Sequence, residues 1–308
     1  MRQGEIAPKG KWEGPLGGVK APDPIVLPDP ARRFAATADR LETLAGGHPM
    51  ADWLRFMAKL SRAQHSAAAS APAPEFVSEP VGAQPGAAGL PPLAADGHRR
   101  DPAWRAGFAV LHDHLDTPDV PAPAREAIAA LRSAEAATQE QLADAFLHGQ
   151  LAAPDAVAAL FVAAALQVYF TRMAAGLPLS SLQLLEQRGL CPACGSTPSA
   201  GFITASGATP GTRYLHCSLC ATAWNHVRAI CITCGDSKST LLEGIEGDSG
   251  LVKAETCKAC NTYAKMIYQK QDMKADPFAD DLASLGLDML VGEAGWSRHA
   301  PNPLLLVG

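Results

Sequence analysis

The sequence predicts an α-helical protein carrying small metal ribbons: a helical N-terminal bundle, two tandem zinc-ribbon or rubredoxin-like units, and a C-terminal helix. Three observations predict it. All eight cysteines fall between 191 and 260 as four C-x-x-C pairs. Across the first 185 residues, apolar stripes at helical spacing recur behind Asp-Pro caps. After the last cysteine pair, the same cap-and-stripe pattern returns at Asp276-Pro277.

Residues 1–30 are rich in proline and glycine and end in IVLPDP, which reads as an extended arm. Asp29-Pro30 then supplies an N-cap and a proline at the first helical position, with Phe34, Ala38, Leu41 and Ala45 on one face and Gly46 as the stop. A second helix starts at Pro49, with Met50, Trp53, Leu54, Met57, Leu60 and Gln64 along its face. From about 66 to 100 the composition turns to Ala, Pro, Gly and Ser, a flexible connection in which Phe76, Val77 and Leu93 can dock on the helices. Asp101-Pro102 opens the next stripe, Trp104, Phe108, Leu111 and Leu115, and further helices are expected over 122–133 and 135–147. The longest begins near Pro154-Asp155 and runs to about Ala175, which closes a helical domain at 31–185. His112 and His114 flank Asp113, but residues two apart do not share a helix face, so solvated or capping roles are expected.

The pairs Cys191/Cys194, Cys217/Cys220, Cys231/Cys234 and Cys257/Cys260 form an internal repeat. In each copy 22 residues separate the two pairs, 195 to 216 and 235 to 256. Two knuckles with two sulfurs each complete a tetrahedral site, so modules are expected at 186–225 and 226–270. Pairing first with second and third with fourth follows from the equal spacing; a cross-braced pairing is the alternative. Gly195 and Gly235 follow the first pair of each copy and tolerate the positive φ that turns backbone N–H groups toward sulfur, and Asn261 can do the same. Ala221 is the least comfortable of the four. Disulfides and thioredoxin-like redox pairs fit less well, because no secretory signal or βαβ setting is visible. Four thiolates accept zinc or a mononuclear iron, and the C-P-x-C-G knuckle at 191–195 suits a rubredoxin-type iron. His216 and His226 lie close by, but four sulfurs already complete each site, and packing roles are expected of both. Residues 261–271 read as helical, with Tyr263, Met266, Ile267 and Tyr268. A C-terminal helix and tail follow over 271–308, with Phe278, Leu282, Leu285 and Met289 at core spacing, Asp280 and Asp281 in the first turn, and an apolar NPLLLVG end.

The 308 residues are 47% hydrophobic, enough to bury a core in two domains, and the net charge is −5. Between 191 and 270 seven Lys or Arg stand against five Asp or Glu, no basic face for nucleic acid. Arg32-Arg33-Phe34 resembles a twin-arginine signal in passing, yet charges occupy the place of its apolar run. The apolar window Val157 to Phe170 is short for a membrane span and reads as a core helix, so no membrane insertion is expected. Clustered reduced cysteines point to the cytoplasm. No Gly-rich phosphate loop, nucleophile elbow or paired-carboxylate constellation is found.

CPACGSTP at 191–198, RYLHCSLCATAW at 213–224, KAETCKACNTYAKMIYQ at 253–269 and DDLASLGLD at 280–288 resemble the bacterial formate dehydrogenase accessory protein family, FdhE, as do IVLPDP at 25–30 and HPMADWLRFMAKLSRAQ at 48–64. The resemblance implies a non-catalytic cytoplasmic accessory protein needed for active respiratory formate dehydrogenase. It also implies contact with the immature catalytic subunit before export, and two rubredoxin-like modules with iron at all eight cysteines. Arg213, Tyr214, Trp224, Tyr263, Asp280 and Asp281 are the candidates for partner contact or for the seam with the bundle. Alternatives are an iron redox protein acting during that maturation and, least favoured, a nucleic-acid-binding zinc ribbon.

Overall fold

The computed structural model describes residues 21–72, 90–95, 97, 100–151, 155–207 and 209–305. In the N-terminal half, α1 (Pro30–Ala45) and α2 (Ala51–Ser70) form a hairpin. A 3-10 turn (Pro102–Arg105) leads into α3 (Ala106–Leu115), followed by α4 (Ala122–Ser133), α5 (Ala136–Leu147) and α6 (Ala156–Ala175). The expected caps are made: Asp29 accepts from the Ala31 N–H and Asp101 from the Ala103 N–H.

Helix α6 is apolar on every side because every side is covered. It touches α1 to α5, and Phe161, Leu166, Phe170 and Met173 are buried in the main core. By length and composition it could cross a membrane, yet 72% of its apolar window lies inside the protein. Its buried Gln167 is satisfied through a relay: Gln64 on α2 donates to the Ala164 carbonyl and to Gln167 Oε1, and Gln167 donates onward to the Ser218 carbonyl at 2.8 Å. That relay fixes the bundle to the cysteine-rich half.

The cysteine-rich half is one mixed sheet. Its strands are β1 (Ile25–Val26), β2 (Pro198–Ile203), β3 (Arg213–Cys217), β4 (Ala223–Asn225), β5 (Thr240–Glu243), β6 (Val252–Cys257), β7 (Thr262–Tyr268) and β8 (Ser297–Arg298), in the order β1-β4-β3-β2-β7-β6-β5 with β8 also on β7. The two cysteine-bearing copies, expected as tandem units, are joined edge to edge by parallel pairing of β2 with β7, Gly201 opposite Met266 and Ile203 opposite Tyr268. The arm contributes too, since Ile25 pairs with Trp224 at the far edge.

Three expectations change. Residues 261–271 are not helical: Thr262–Tyr268 is the central strand β7. Its Tyr263 and Ile267 face one apolar cluster and its Ala264 and Met266 the main core, so a strand covered on both faces mimicked a helical stripe. The single C-terminal helix is two short ones, α7 (Ala279–Ala283) and α8 (Leu285–Glu293), broken at Ser284. Leu287 and Val291 face inward while Met289 is 62% exposed, a shift of the stripe caused by that break. Helix α2 continues to Ser70, so the connection starts later than 66. Leu93 docks as expected and is fully buried, whereas Phe76 and Val77 lie outside the described residues.

Candidate metal centres

Each copy folds its four sulfurs into one cluster: Cys191, Cys194, Cys217 and Cys220 in the first, Cys231, Cys234, Cys257 and Cys260 in the second, all ligand atoms within 4.8 Å of one another. The cysteines are free thiols. Sulfur pairs lie 3.5 Å (Cys191–Cys220) and 3.4 Å (Cys194–Cys217) apart in the first, and 3.7 Å for both Cys231–Cys260 and Cys234–Cys257 in the second. A tetrahedron with metal–sulfur bonds of about 2.3 Å has edges of about 3.8 Å, so the donor set fits a single ion in each cluster. First pair meets second and third meets fourth.

The knuckles repeat residue for residue. Gly195 donates to the Cys191 carbonyl at 2.9 Å and Gly235 to the Cys231 carbonyl at 3.0 Å, both glycines at φ 77. The second knuckles turn on Ala221 at φ 59 and Asn261 at φ 57, so alanine accepts the strained conformation where the sequence made it least comfortable. Backbone N–H groups of Ala193, Leu219 and Thr233 point at Cys191, Cys217 and Cys231 sulfurs at 3.4 Å. Thr222 Oγ1 sits 3.2 Å from Cys220 Sγ, and Thr262 Oγ1 sits 3.1 Å from Cys260 Sγ. These hydroxyls are part of the site; their signal in the sequence is a threonine two residues beyond the last cysteine of each copy. Burial pushes the Cys191 and Cys217 thiols well up, neighbouring thiols adding to it at Cys191 and acting in both directions at Cys217, and a bound cation would remove that cost. Burial also acts against Cys260 ionisation, but hydrogen bonds from Thr262, Cys234 and Cys231 together outweigh it and bring the thiol down to about 7.

The two clusters differ in cover. All four sulfur ligands of the first are buried, and the connection seals it: Leu93 donates to the Ala193 carbonyl at 2.9 Å and Ala95 to the Cys194 carbonyl at 2.8 Å. In the second, Cys234 is exposed and Cys260 partly so. A cleft of about 560 Å3 opens beside it, its lining including Cys231, Cys234 and Gly235 as well as Arg188, Asn225 and His226. Gly189, which also lines it, is obligatory: a Cβ there would stand 2.1 Å from the Ile232 carbonyl oxygen.

The remaining candidates are occupied inside the protein. Arg213 is buried, ion-paired to Glu255 at 2.8 Å, and donates to His226 Nδ1 and to the Val227 and Ile230 carbonyls. An arginine donor on Nδ1 requires a neutral ring, and burial, reinforced by Arg213, lowers the His226 pKa to about 4. His216 packs edge-on between Phe202 and Phe278. Trp224 is buried and donates to the Arg188 carbonyl at 2.9 Å. Tyr214 is half-buried, its hydroxyl donating to the Asp23 carbonyl and so pinning the arm. Tyr263 donates to Asp288 at 2.8 Å. Asp280 receives a forked pair of bonds from Arg40 on α1, the seam with the bundle. Asp281 is fully buried between Lys265 at 2.9 Å and Arg298 at 2.6 Å, with Asn302 as a further donor. Five of these six candidates are interior, so in this structure they build seams rather than present themselves to a partner.

The chain matches the family models described as FdhE, N-terminal, over residues 22–186, FdhE, central domain, over 190–228, and FdhE, C-terminal domain, over 229–305. It is 38% identical over 296 residues to a protein FdhE homolog of Edwardsiella ictaluri, covering 96% of this chain and 94% of that one. To the protein FdhE homolog of Pseudomonas aeruginosa it is 40% identical, covering 92% and 94%. A crystal structure of the FdhE protein from Pseudomonas aeruginosa is similar in fold, with a TM-score of 0.83 and 38% identity over 93% of this chain and 100% of that one.

Proposed function

Since this chain belongs to the FdhE family, we propose that it is a non-catalytic, cytoplasmic accessory factor for respiratory formate dehydrogenase that binds the immature catalytic subunit before export. The observation that carries the reading is the joining of both four-sulfur clusters into one sheet by β2 and β7. A ribbon this small cannot bury enough apolar area alone, so a metal in each cluster, iron or zinc, would supply folding free energy on the order of 10 kcal/mol. Metal binding then holds the shape of the whole sheet, and that shape is what a partner would recognise. Cys191, Cys194, Cys217 and Cys220 would hold one ion; Cys231, Cys234, Cys257 and Cys260 the other. When bound, the ion cross-links the knuckles, and an iron would add one-electron chemistry.

A second reading, an iron redox role during maturation, is favoured by the exposure of Cys234, which brings the second cluster to the surface. The test is an anaerobic pull-down of the tagged chain from cells making the immature catalytic subunit, with metal analysis of the same eluate. Retention of that subunit, lost when either set of cysteines is changed to serine, supports the accessory reading. No retention by folded, metal-loaded protein defeats it. Iron with a reversible redox spectrum would favour the second reading.

A further inference from the structure

We propose that the second cluster is an exchange site for thiolate ligands, at which an external thiol entering the cleft displaces Cys234 from the bound metal, while the first is a closed structural centre. This rests on the metal reading above. Equivalent positions of the repeat show the difference directly. At Gly195 of the first cluster the connection is so close that an added Cβ would stand 3.2 Å from the Pro91 ring, whereas at Gly235 of the second no atom of the described residues lies within 4 Å. The first cluster is further closed by Leu93 and Ala95 hydrogen-bonded across its knuckle, and by Gln167 of α6 on Ser218 between Cys217 and Cys220. Among the described residues nothing comparable covers Cys234, which is exposed and borders the cleft.

Exchange at a four-sulfur metal requires a soft donor to reach the ion from outside, and the cleft gives it an approach along the Cys234 side. Arg188 and Glu186 both line the cleft and offset one another in charge, so softness rather than charge selects the entrant. In the step a metal–sulfur bond forms to the entering thiol and the bond to Cys234 breaks; the proton leaving the entrant ends on Cys234, directly or through solvent. No oxidation state changes. At the first cluster the same exchange would need the connection and α6 to part from the knuckles, an opening that local stability opposes.

The test uses the full chain loaded with zinc. Metal analysis comes first: two zinc ions per chain are expected, and fewer would defeat the metal reading and this proposal together. With glutathione as the entering thiol and a chromogenic chelator as the final acceptor, one equivalent should leave more than about tenfold faster than the other. Its rate should rise with glutathione concentration. In Cys234→Ser the fast phase should vanish while the slow equivalent stays. On the unaltered chain, limited N-ethylmaleimide treatment with mass-spectrometric mapping should modify Cys234 before any cysteine of the first cluster, which decides the matter even if the variant fails to fold. Two equivalents leaving together, a fast phase that survives in Cys234→Ser, or equally early modification of Cys191, Cys194, Cys217 or Cys220 would overturn the proposal.

Discussion

Ala221 and Ala229 both sit at φ 59, a conformation that costs an L-residue on the order of 1 kcal/mol. Ala229 is exposed, so glycine there relieves the strain without losing packing, less what glycine adds to the unfolded chain's freedom. Ala229→Gly should therefore raise stability by about 0.5 kcal/mol in denaturant titration. Ala221 is buried, so its methyl contributes cover that the same change would remove. His226 offers a sharper measurement. Its pKa falls from the ordinary 6.5 to about 4 in the fold, so the unfolded chain takes up the proton first as pH drops. Its contribution is present above 6.5 and is lost as pH falls toward 4, amounting to about 3 kcal/mol over that window. His226→Gln keeps an acceptor for Arg213 without the titration, and the wild-type minus variant difference in unfolding free energy should show that slope. A flat difference would exclude a buried neutral ring. The eight cysteines and the glycines at 195 and 235 were legible in the sequence because metal chemistry fixes both spacing and turn. Thr222 and Thr262 were not, since a hydroxyl two residues along has many other uses.

Strand β7 shows where periodicity misleads. A strand buried on both faces needs apolar residues on successive positions, and Tyr263, Met266 and Ile267 then fall at helical spacing by coincidence. Lys265, in its middle, is fully buried, which a helical reading would have placed in solvent. It is held by Asp281 at 2.9 Å and Asp288 at 2.6 Å, and both carboxylates also receive Arg298. Two cations and two anions thus close the joint between β7, β8, α7 and α8. Lys265→Met leaves buried negative charge uncompensated and should destabilise the protein by about 3 to 5 kcal/mol, read as a lowered denaturant midpoint with unchanged slope. Gly189 makes a different joint, between the segment leaving the helical half and the third knuckle. Gly189→Ala must push the Ile232 backbone away, so it should lower zinc content at the second cluster while the first keeps its ion. Equal loss from both would show that the contact acts on the whole fold instead.

The helical half and the sheet were each legible from local signals, caps in one and cysteine spacing in the other. Their union was not. Pairing of β2 with β7 and of β1 with β4 depends on residues far apart in the chain, for which the sequence offers no periodic mark. The union has a measurable consequence. Because both clusters share one sheet, stripping metal should loosen more than the knuckles: hydrogen exchange should rise across β2, β6 and β7, while α6, apolar and enclosed by helices, retains protection. Exchange confined to the knuckles would argue for independent metal loops.

Arg40 on α1 and Asp280 on α7 are 240 residues apart in the chain, yet they form the forked ion pair that closes the molecule. A ribosome adding roughly 5 to 20 residues per second needs on the order of ten to fifty seconds to deliver the second after the first. Through that interval the first helix can already pack on α2, but its Arg40 has no Asp280 to meet, and for most of it the strand at Ile25 has no Trp224 to pair with. The seam between α1 and α7 is thus among the last contacts to close, and during synthesis it is that open seam which a chaperone would meet.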